Sequence, residues 1–170
     1  MKMNQTMEEI LKKLEELKKK GELDITTEED VSIGIMNLIG AEEHLYFTAE
    51  KTRKPEYLDL LNEVREQRKI LMKRLLPKTE GESWCLSKHL LSAAMRMMEV
   101  GTKLQTDGKK DEAKEMFDGG YKMYSMFWAI RFDIIKAHEI HVCGVEDGPA
   151  DGKAWSTEDI VGRLVDCCKE

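Results

Sequence analysis

The sequence predicts an all-α protein, an antiparallel helical bundle of four core helices with a flanking helix at each end of the chain. Of its 170 residues 35% are charged, only 6% are aromatic and three are proline. This composition suits helices joined by short turns much better than a sheet. Apolar residues also recur every three or four positions, which is the spacing of a buried helical stripe. At this length we expect a single domain covering residues 1–170.

Two helices are predicted near the start of the chain, at residues 7–20 and 28–53. The first carries a narrow apolar seam at spacings of three and four, typical of a coiled coil. The seam residues are Met7, Ile10, Leu14 and Leu17. The second helix is predicted to begin at a capping box that runs from Thr26 to Glu29. Gly34 and Gly40 inside it indicate close approach of a neighbouring helix, because glycine weakens an exposed helix.

The third and fourth helices are predicted at residues 56–76 and 84–105. Pro55 suits the first turn of a helix, and a proline at position 77 ends the pattern. Since only a few residues separate helices two and three, we expect them to pack side by side as an antiparallel hairpin.

A long fifth helix is predicted at 109–142, and it carries the most apolar stretch of the chain. We expect the other helices to close over Trp128 and its neighbours in this stretch. Gly119 and Gly120 mark a point where this helix is expected to kink or break. After a loop rich in Gly, Asp and Pro, a last helix is predicted at 157–169, docked on the bundle.

Residues 97–125 resemble one helical hairpin of the tetratricopeptide repeat family. Small and aromatic residues stand at the spacings that this family uses for close helix crossing. They are Gly101, Gly108, Ala113, Phe117 and Gly120. The resemblance implies a tightly crossed helix pair and, more faintly, a peptide-binding role. The chain as a whole also resembles microbial helical-bundle proteins, a likeness that implies no activity.

Charge and composition restrict the classes of partner. The net charge is -6, and no long cluster of Lys and Arg is present, so nucleic acid is not an expected partner. No apolar run reaches the length of a membrane span, and the first residues lack the apolar region of a signal peptide. We therefore expect a soluble, cytoplasmic protein. Its four cysteines have no disulfide-framework spacing and are expected to be reduced thiols.

A metal site is one candidate for chemistry. Cys85 and His89 lie at i and i+4 at the start of helix four, and His138 and His141 at i and i+3 near the end of predicted helix five. In an antiparallel bundle these two helix ends meet, and such ligands suit zinc or another transition metal. An exposed polar stripe is the alternative interpretation. A ferritin-like di-metal site is disfavoured, because no histidine is preceded by Glu three residues earlier.

A buried polar cluster is a second candidate site, made of Glu42, Glu43, His44 and Arg131. Arg131 shares a helical face with apolar residues, so it needs a carboxylate, and Glu42 or Glu43 lies at a comparable depth. Arg131 and His138 also have the R-x6-H form of a helical RNase superfamily, HEPN. That resemblance implies an Arg that steadies phosphate and a His that acts as acid or base.

The leading hypothesis is a non-enzymatic helical interaction or scaffold protein, which binds a protein partner or itself. Helix one or a surface rich in methionine is the expected contact for a homodimer, because methionine side chains adapt to many partners. The clustered methionines are Met95, Met97, Met98, Met116, Met123 and Met126. No cofactor is expected apart from the candidate metal.

Overall fold

The computed structural model describes residues 7–21, 23–77 and 81–134, and these residues form helices without any β-strand. The helices are α1 (Met7–Lys19), α2 (Ile25–Thr52), α3 (Glu56–Leu75), α4 (Gly81–Thr106) and α5 (Lys110–Arg131). None of these five combines the length and the apolar content that crossing a bilayer requires. The all-α prediction is confirmed for this part of the chain. The predicted helix at 157–169 lies outside the described residues.

The four longer helices form two antiparallel hairpins. α2 packs along α3, α4 packs along α5, and a smaller contact between α2 and α4 joins the pairs. The connection from α2 to α3 is short, as predicted. Arg53, at φ 57, ends α2 by donating its N–H to the Ala49 carbonyl at 2.8 Å, and Pro55 immediately precedes α3. The expected bundle is therefore built from two hairpins.

One apolar core joins the hairpins, and all four helices contribute to it. Its buried residues are Ile35, Met72, Leu75, Leu76, Leu90, Leu91, Phe127 and Ile130. They come from the first halves of α2 and α4 and from the last turns of α3 and α5, so the core lies towards one end of the bundle. We call this the core end, and the opposite end the open end. Phe127 is completely buried, while Trp128, the expected centre, is partly buried beside it.

α2 begins three residues earlier than predicted, because Asp24 is its N-cap rather than Thr26. The Asp24 carboxylate accepts hydrogen bonds from the Thr27 N–H at 3.2 Å and from the Thr27 hydroxyl at 2.7 Å. These two bonds, the hydroxyl first, lower the pKa of Asp24 below its usual 3.8. The cap therefore stabilises the fold fully above that usual pKa, and its contribution is lost as the pH falls through the lowered value.

α5 ends at Arg131, so the predicted helix does not continue through residues 132–134, and its predicted part at 135–142 lies outside the described residues. The N–H of Asp133 bonds to the Ile130 carbonyl at 3.0 Å, and that of Ile134 bonds to the Ala129 carbonyl at 2.8 Å. This pair of bonds is a Schellman motif, which terminates a helix. Asp133 takes the left-handed position at φ 58, where glycine is usual, so the sequence lacks the common stop signal.

The closest helix crossing lies between α4 and α5, at the small residues of the tetratricopeptide resemblance. A Cβ at Gly101 would lie 2.7 Å from the Phe117 ring, and one at Gly120 would lie 3.1 Å from the Ala94 carbonyl oxygen. The tightly crossed pair is confirmed. The expected break at Gly119 and Gly120 is not present, because α5 continues through both residues and uses Gly120 for the crossing.

α1 has no interface with the other described helices comparable to those within the hairpins. Leu11 is 54% exposed, whereas Leu14 and Leu17 of the predicted seam are partly buried. An isolated helix of 13 residues is marginal in water. Dimerisation through α1 stays a prediction.

Substitution by alanine should change the stability of the protein differently at Gly40 of α2 and at Gly120 of α5. A Cβ at Gly40 would lie 4.0 Å from the Met95 methyl, which is ordinary contact. Gly40→Ala should therefore gain about 1 kcal/mol of helix propensity. In Gly120→Ala this gain is offset by overpacking against a backbone oxygen, which costs about 1–3 kcal/mol.

Urea unfolding of both variants measures the difference. We expect Gly40→Ala to be at least about 1 kcal/mol more stable than Gly120→Ala. Equal stabilisation by the two substitutions would contradict the close crossing of α4 and α5.

Candidate functional site

A buried ion pair links α2 to α3. Arg68 is only 1% exposed and is among the largest fully buried side chains of the described residues. Its Nε donates to Glu42 Oε1 at 2.5 Å, and its Nη2 donates to Glu42 Oε2 at 3.3 Å. Arg65 Nε lies 3.4 Å from the same carboxylate. One glutamate therefore neutralises a buried guanidinium and attracts a second, more exposed one.

The Glu42–Arg68 pair has a structural role that follows from its burial. Removing a guanidinium from water costs several kcal/mol unless a carboxylate compensates it. Only one register of α2 against α3 brings the two side chains level, so any other register loses both hydrogen bonds between Arg68 and Glu42. The pair therefore specifies how the first hairpin aligns.

The four residues of the predicted polar cluster have different partners. Glu42 faces α3, and Glu43 faces α4, where it bonds to Arg96. His44 is exposed. Successive residues of a helix point about 100° apart, so these three neighbours cannot share one face. Arg131 pairs with neither glutamate.

Glu28 is the partner of Arg131, in a two-pronged salt bridge that ties the end of α5 to the start of α2. The Nε and Nη2 atoms donate to the two carboxylate oxygens at 2.9 and 2.7 Å, and both side chains are less than one-fifth exposed. One turn further along α2, the Ser32 and Tyr124 hydroxyls share a hydrogen bond of 2.8 Å. The RNase hypothesis assigns phosphate binding to Arg131, whose guanidinium is already engaged by the Glu28 carboxylate. His138 lies outside the described residues, so the RNase hypothesis stays a prediction.

Cys85 and His89 are adjacent at the start of α4. The Cys85 sulfur lies 3.4 Å from His89 Nε2, and Cys85 is 3% exposed, whereas His89 is exposed. Cys85 is not in a disulfide. Within the described ranges, no group of three or more ligating side chains is placed to hold a metal. The other two predicted ligands, His138 and His141, fall outside those ranges, so the four-ligand site stays a prediction.

An apolar stripe of α5 runs from the core into solvent. Trp128, Tyr124, Tyr121 and Phe117 follow one another at spacings of four, three and four, which places them on one helical face. Trp128 and Tyr124 pack against the core, and Tyr124 reaches α2 through Ser32. Beyond them Phe117 is 38% exposed and Tyr121 is 75% exposed.

Stripes of α4 and α2 continue in the same way. On α4, Leu91 is buried in the core, Met95 faces Gly40 of α2, and Met98 is 53% exposed. On α2, the same face carries Gly40, then Glu43, which forms a salt bridge with Arg96, and then Phe47, which is 49% exposed.

These stripes define a candidate interaction surface, which we call the open groove. The name stands for four exposed side chains on these faces, Phe47 of α2, Met98 of α4, and Phe117 and Tyr121 of α5. In this half of the bundle the small buried residues lie within single hairpins, such as Ala49 in the first and Ala113 in the second. The hairpins thus share a core at one end and leave apolar side chains uncovered towards the other.

A cavity of about 340 Å³ lies at the core end, beside the turn between α1 and α2. It is lined by Gly21, Asp24, Thr27, Glu28, Val31, Arg74 and Leu75. Its two carboxylates are already engaged, since Asp24 caps α2 and Glu28 binds Arg131. We therefore regard the cavity as part of the scaffold.

Comparison of the chain with protein-family models, with curated proteins and with solved structures finds no match.

The buried pair had a signal in the sequence. Apolar residues of α3 recur at spacings of three and four, and Arg68 falls on that beat, between Val64 and Leu71. Glu42 likewise falls between Leu38 and Leu45 on the facing stripe of α2. Opposite charges at the same level of two facing stripes indicate an interhelical salt bridge.

Adjacent glutamates of α2 offer a matched test of the buried pair. Glu42→Gln removes the carboxylate that accepts from Arg68 Nε and Nη2 in a largely buried setting and should cost about 3–5 kcal/mol of stability. Glu43→Gln removes only a pair in which both side chains are about half exposed, worth about 1 kcal/mol or less. Urea unfolding at neutral pH compares them. Equal losses of stability in the two variants would show that the Glu42–Arg68 pair does not specify the alignment of α2 and α3.

Proposed function

We propose that this protein is a non-enzymatic interaction protein whose open groove binds an amphipathic helix of a protein partner. The observation that carries the proposal is the continuation of three core stripes into solvent, where Phe47, Met98, Phe117 and Tyr121 are 38–75% exposed. Large apolar side chains that are grouped on a surface usually mark a binding site.

The chemistry of the groove suits a helical ligand. Phe117 and Tyr121 of α5 and Phe47 of α2 supply large apolar area at little cost in rotamer entropy. Met98 supplies an unbranched side chain that adapts to the ligand surface. From Gly40 to Phe47 α2 rises about 10 Å, so the groove accommodates roughly two turns of a ligand helix that presents apolar residues at i, i+3, i+4 and i+7.

Site-specific photo-cross-linking in cells of the native host tests this proposal. A photoreactive phenylalanine analogue at position 121 should give a cross-linked adduct, because this side chain lies in the groove. The same analogue at position 70 is the control, since Ile70 is also an exposed apolar residue, at 59%, on α3.

Adduct formation at position 121 should fall at least several-fold in the Phe47→Ser background, because that substitution removes another aromatic side chain of the groove. The adduct mass, with light scattering of the purified protein, shows whether the partner is another protein or a second copy of this chain. Equal adducts at positions 121 and 70, or none at 121, would contradict the proposal.

A metal-binding role is the second candidate, supported by the distance between Cys85 and His89. A zinc ion at about 2.3 Å from sulfur and about 2.0 Å from nitrogen would see these atoms, 3.4 Å apart, at an angle of roughly 100°, near the tetrahedral value. The pair is thus spaced to supply two of four ligands. Their close approach also suits a plain thiol–imidazole hydrogen bond.

Cobalt titration of the reduced, untagged full chain distinguishes these two interpretations. Co²⁺ in a tetrahedral site with a thiolate gives charge-transfer and ligand-field absorption, which should saturate at one equivalent and disappear in Cys85→Ser. Cys167→Ser is the control and should keep the absorption. Absence of saturable absorption would remove this candidate.

A further inference from the structure

The methionines of the described helices differ in how far they are exposed to solvent. Met98 is 53% exposed, whereas the others whose side chains the structure describes are buried or partly buried. These others are Met36, Met72, Met95, Met97, Met116, Met123 and Met126. Among the described side chains, Met98 is therefore the methionine most accessible to a dissolved reagent.

Met97, the preceding residue of α4, provides a contrast. A Cβ at Gly119 of α5 would collide with the Met97 methyl group and would lie 3.4 Å from its sulfur, so this thioether packs at the crossing of α4 and α5. The Met98 side chain points about 100° away from that of Met97 and belongs to the open groove. A chemical change at Met98 therefore alters the groove and leaves the contact between Met97 and Gly119 in place.

A hydroperoxide converts an accessible thioether into a sulfoxide. The sulfur attacks one peroxide oxygen and loses two electrons, so that an S–O bond forms as the O–O bond breaks. A proton moves to the leaving oxygen, and the peroxide is thereby reduced to an alcohol or to water. The sulfoxide is polar, whereas the thioether is apolar. An apolar partner face that covers it must remove a hydrogen-bond acceptor from water, which is unfavourable.

We infer that oxidation of Met98 by a hydroperoxide prevents partner binding at the open groove. The inference rests on the proposed function and adds its regulation. The modification is reversible, because methionine sulfoxide reductases restore the thioether. In that reaction a dithiol is oxidised to a disulfide and the oxygen leaves as water. A bound partner covers Met98, so the oxidation takes place on the free protein.

Titration of the purified full chain with hydrogen peroxide tests the chemical step without any partner. Tandem mass spectrometry measures the oxidation of each methionine separately. Met98 should gain one oxygen atom at least about fivefold faster than Met97, because susceptibility follows exposure. Circular dichroism should show unchanged helix content at that stage. Equal rates at the two positions, or loss of helix when Met98 is oxidised, would overturn the inference.

Photo-cross-linking at position 121, in host cells treated with peroxide, tests the effect on binding. The adduct should fall at least about fivefold, because an apolar side chain of the groove becomes polar. In Met98→Leu, which keeps an apolar side chain without a thioether, the adduct should persist. Met97→Leu is the matched control and should lose the adduct as the unsubstituted protein does. Equal loss of the adduct in Met98→Leu would overturn the inference.

The same measurements separate this inference from the proposed function. An adduct that forms at position 121 and is unaffected by peroxide would overturn the inference and leave the interaction role intact. Absence of the adduct before peroxide is added would contradict the interaction role, and its regulation with it, whatever the oxidation rate of Met98. Met98→Gln places a polar side chain in the groove permanently and should lower the adduct without peroxide.

Discussion

The two hairpins are held together by a core that covers only part of their length. Phe127, Leu91 and Ile35 come from three different helices and are completely buried in one cluster. Each such side chain contributes about 1.5–3 kcal/mol when it leaves water. The apolar stripes of α2, α4 and α5 are longer than this cluster. The open groove is the part of these stripes that intramolecular packing leaves uncovered.

Polar contacts restrict how the helices can align around that core. Glu42 and Arg68 specify the register within the first hairpin, while Glu28 and Arg131 connect the first hairpin to the second. Buried salt bridges add little net stability compared with apolar packing, but breaking one is expensive. Their main effect is to exclude alternative alignments. A single arrangement of the two hairpins, and so a single shape of the groove, is the result.

Much of the fold follows from the sequence, because apolar periodicity and turn residues are local signals. The short connection through Pro55 led to the correct hairpin of α2 and α3, and the small residues Gly101 and Gly120 to the tight crossing of α4 and α5. The ends of helices were harder to predict. A Schellman motif with Asp133 in place of glycine stops α5, and an aspartate cap starts α2, and neither is distinctive by itself.

The candidate site was less accessible from sequence for a physical reason. Periodicity shows which residues share a helical face, but it does not show where a neighbouring helix stops covering that face. Tyr121 and Tyr124 belong to one stripe, yet Tyr124 reaches Ser32 while Tyr121 is 75% exposed. Partners of charged residues also depend on helix orientation. Arg131 therefore met Glu28 instead of the two glutamates at a similar depth.

Small buried residues such as Ala49 and Ala113 towards the open end have a consequence for the dynamics of the protein. Alanine buries little area, so each of these residues contributes less to stability than the large buried side chains at the core end. Amide protons near the connections between α2 and α3, and between α4 and α5, should exchange with solvent through local opening, and those around Phe127 only through global unfolding. We therefore expect the half of the molecule that carries the groove to open more readily than the core end.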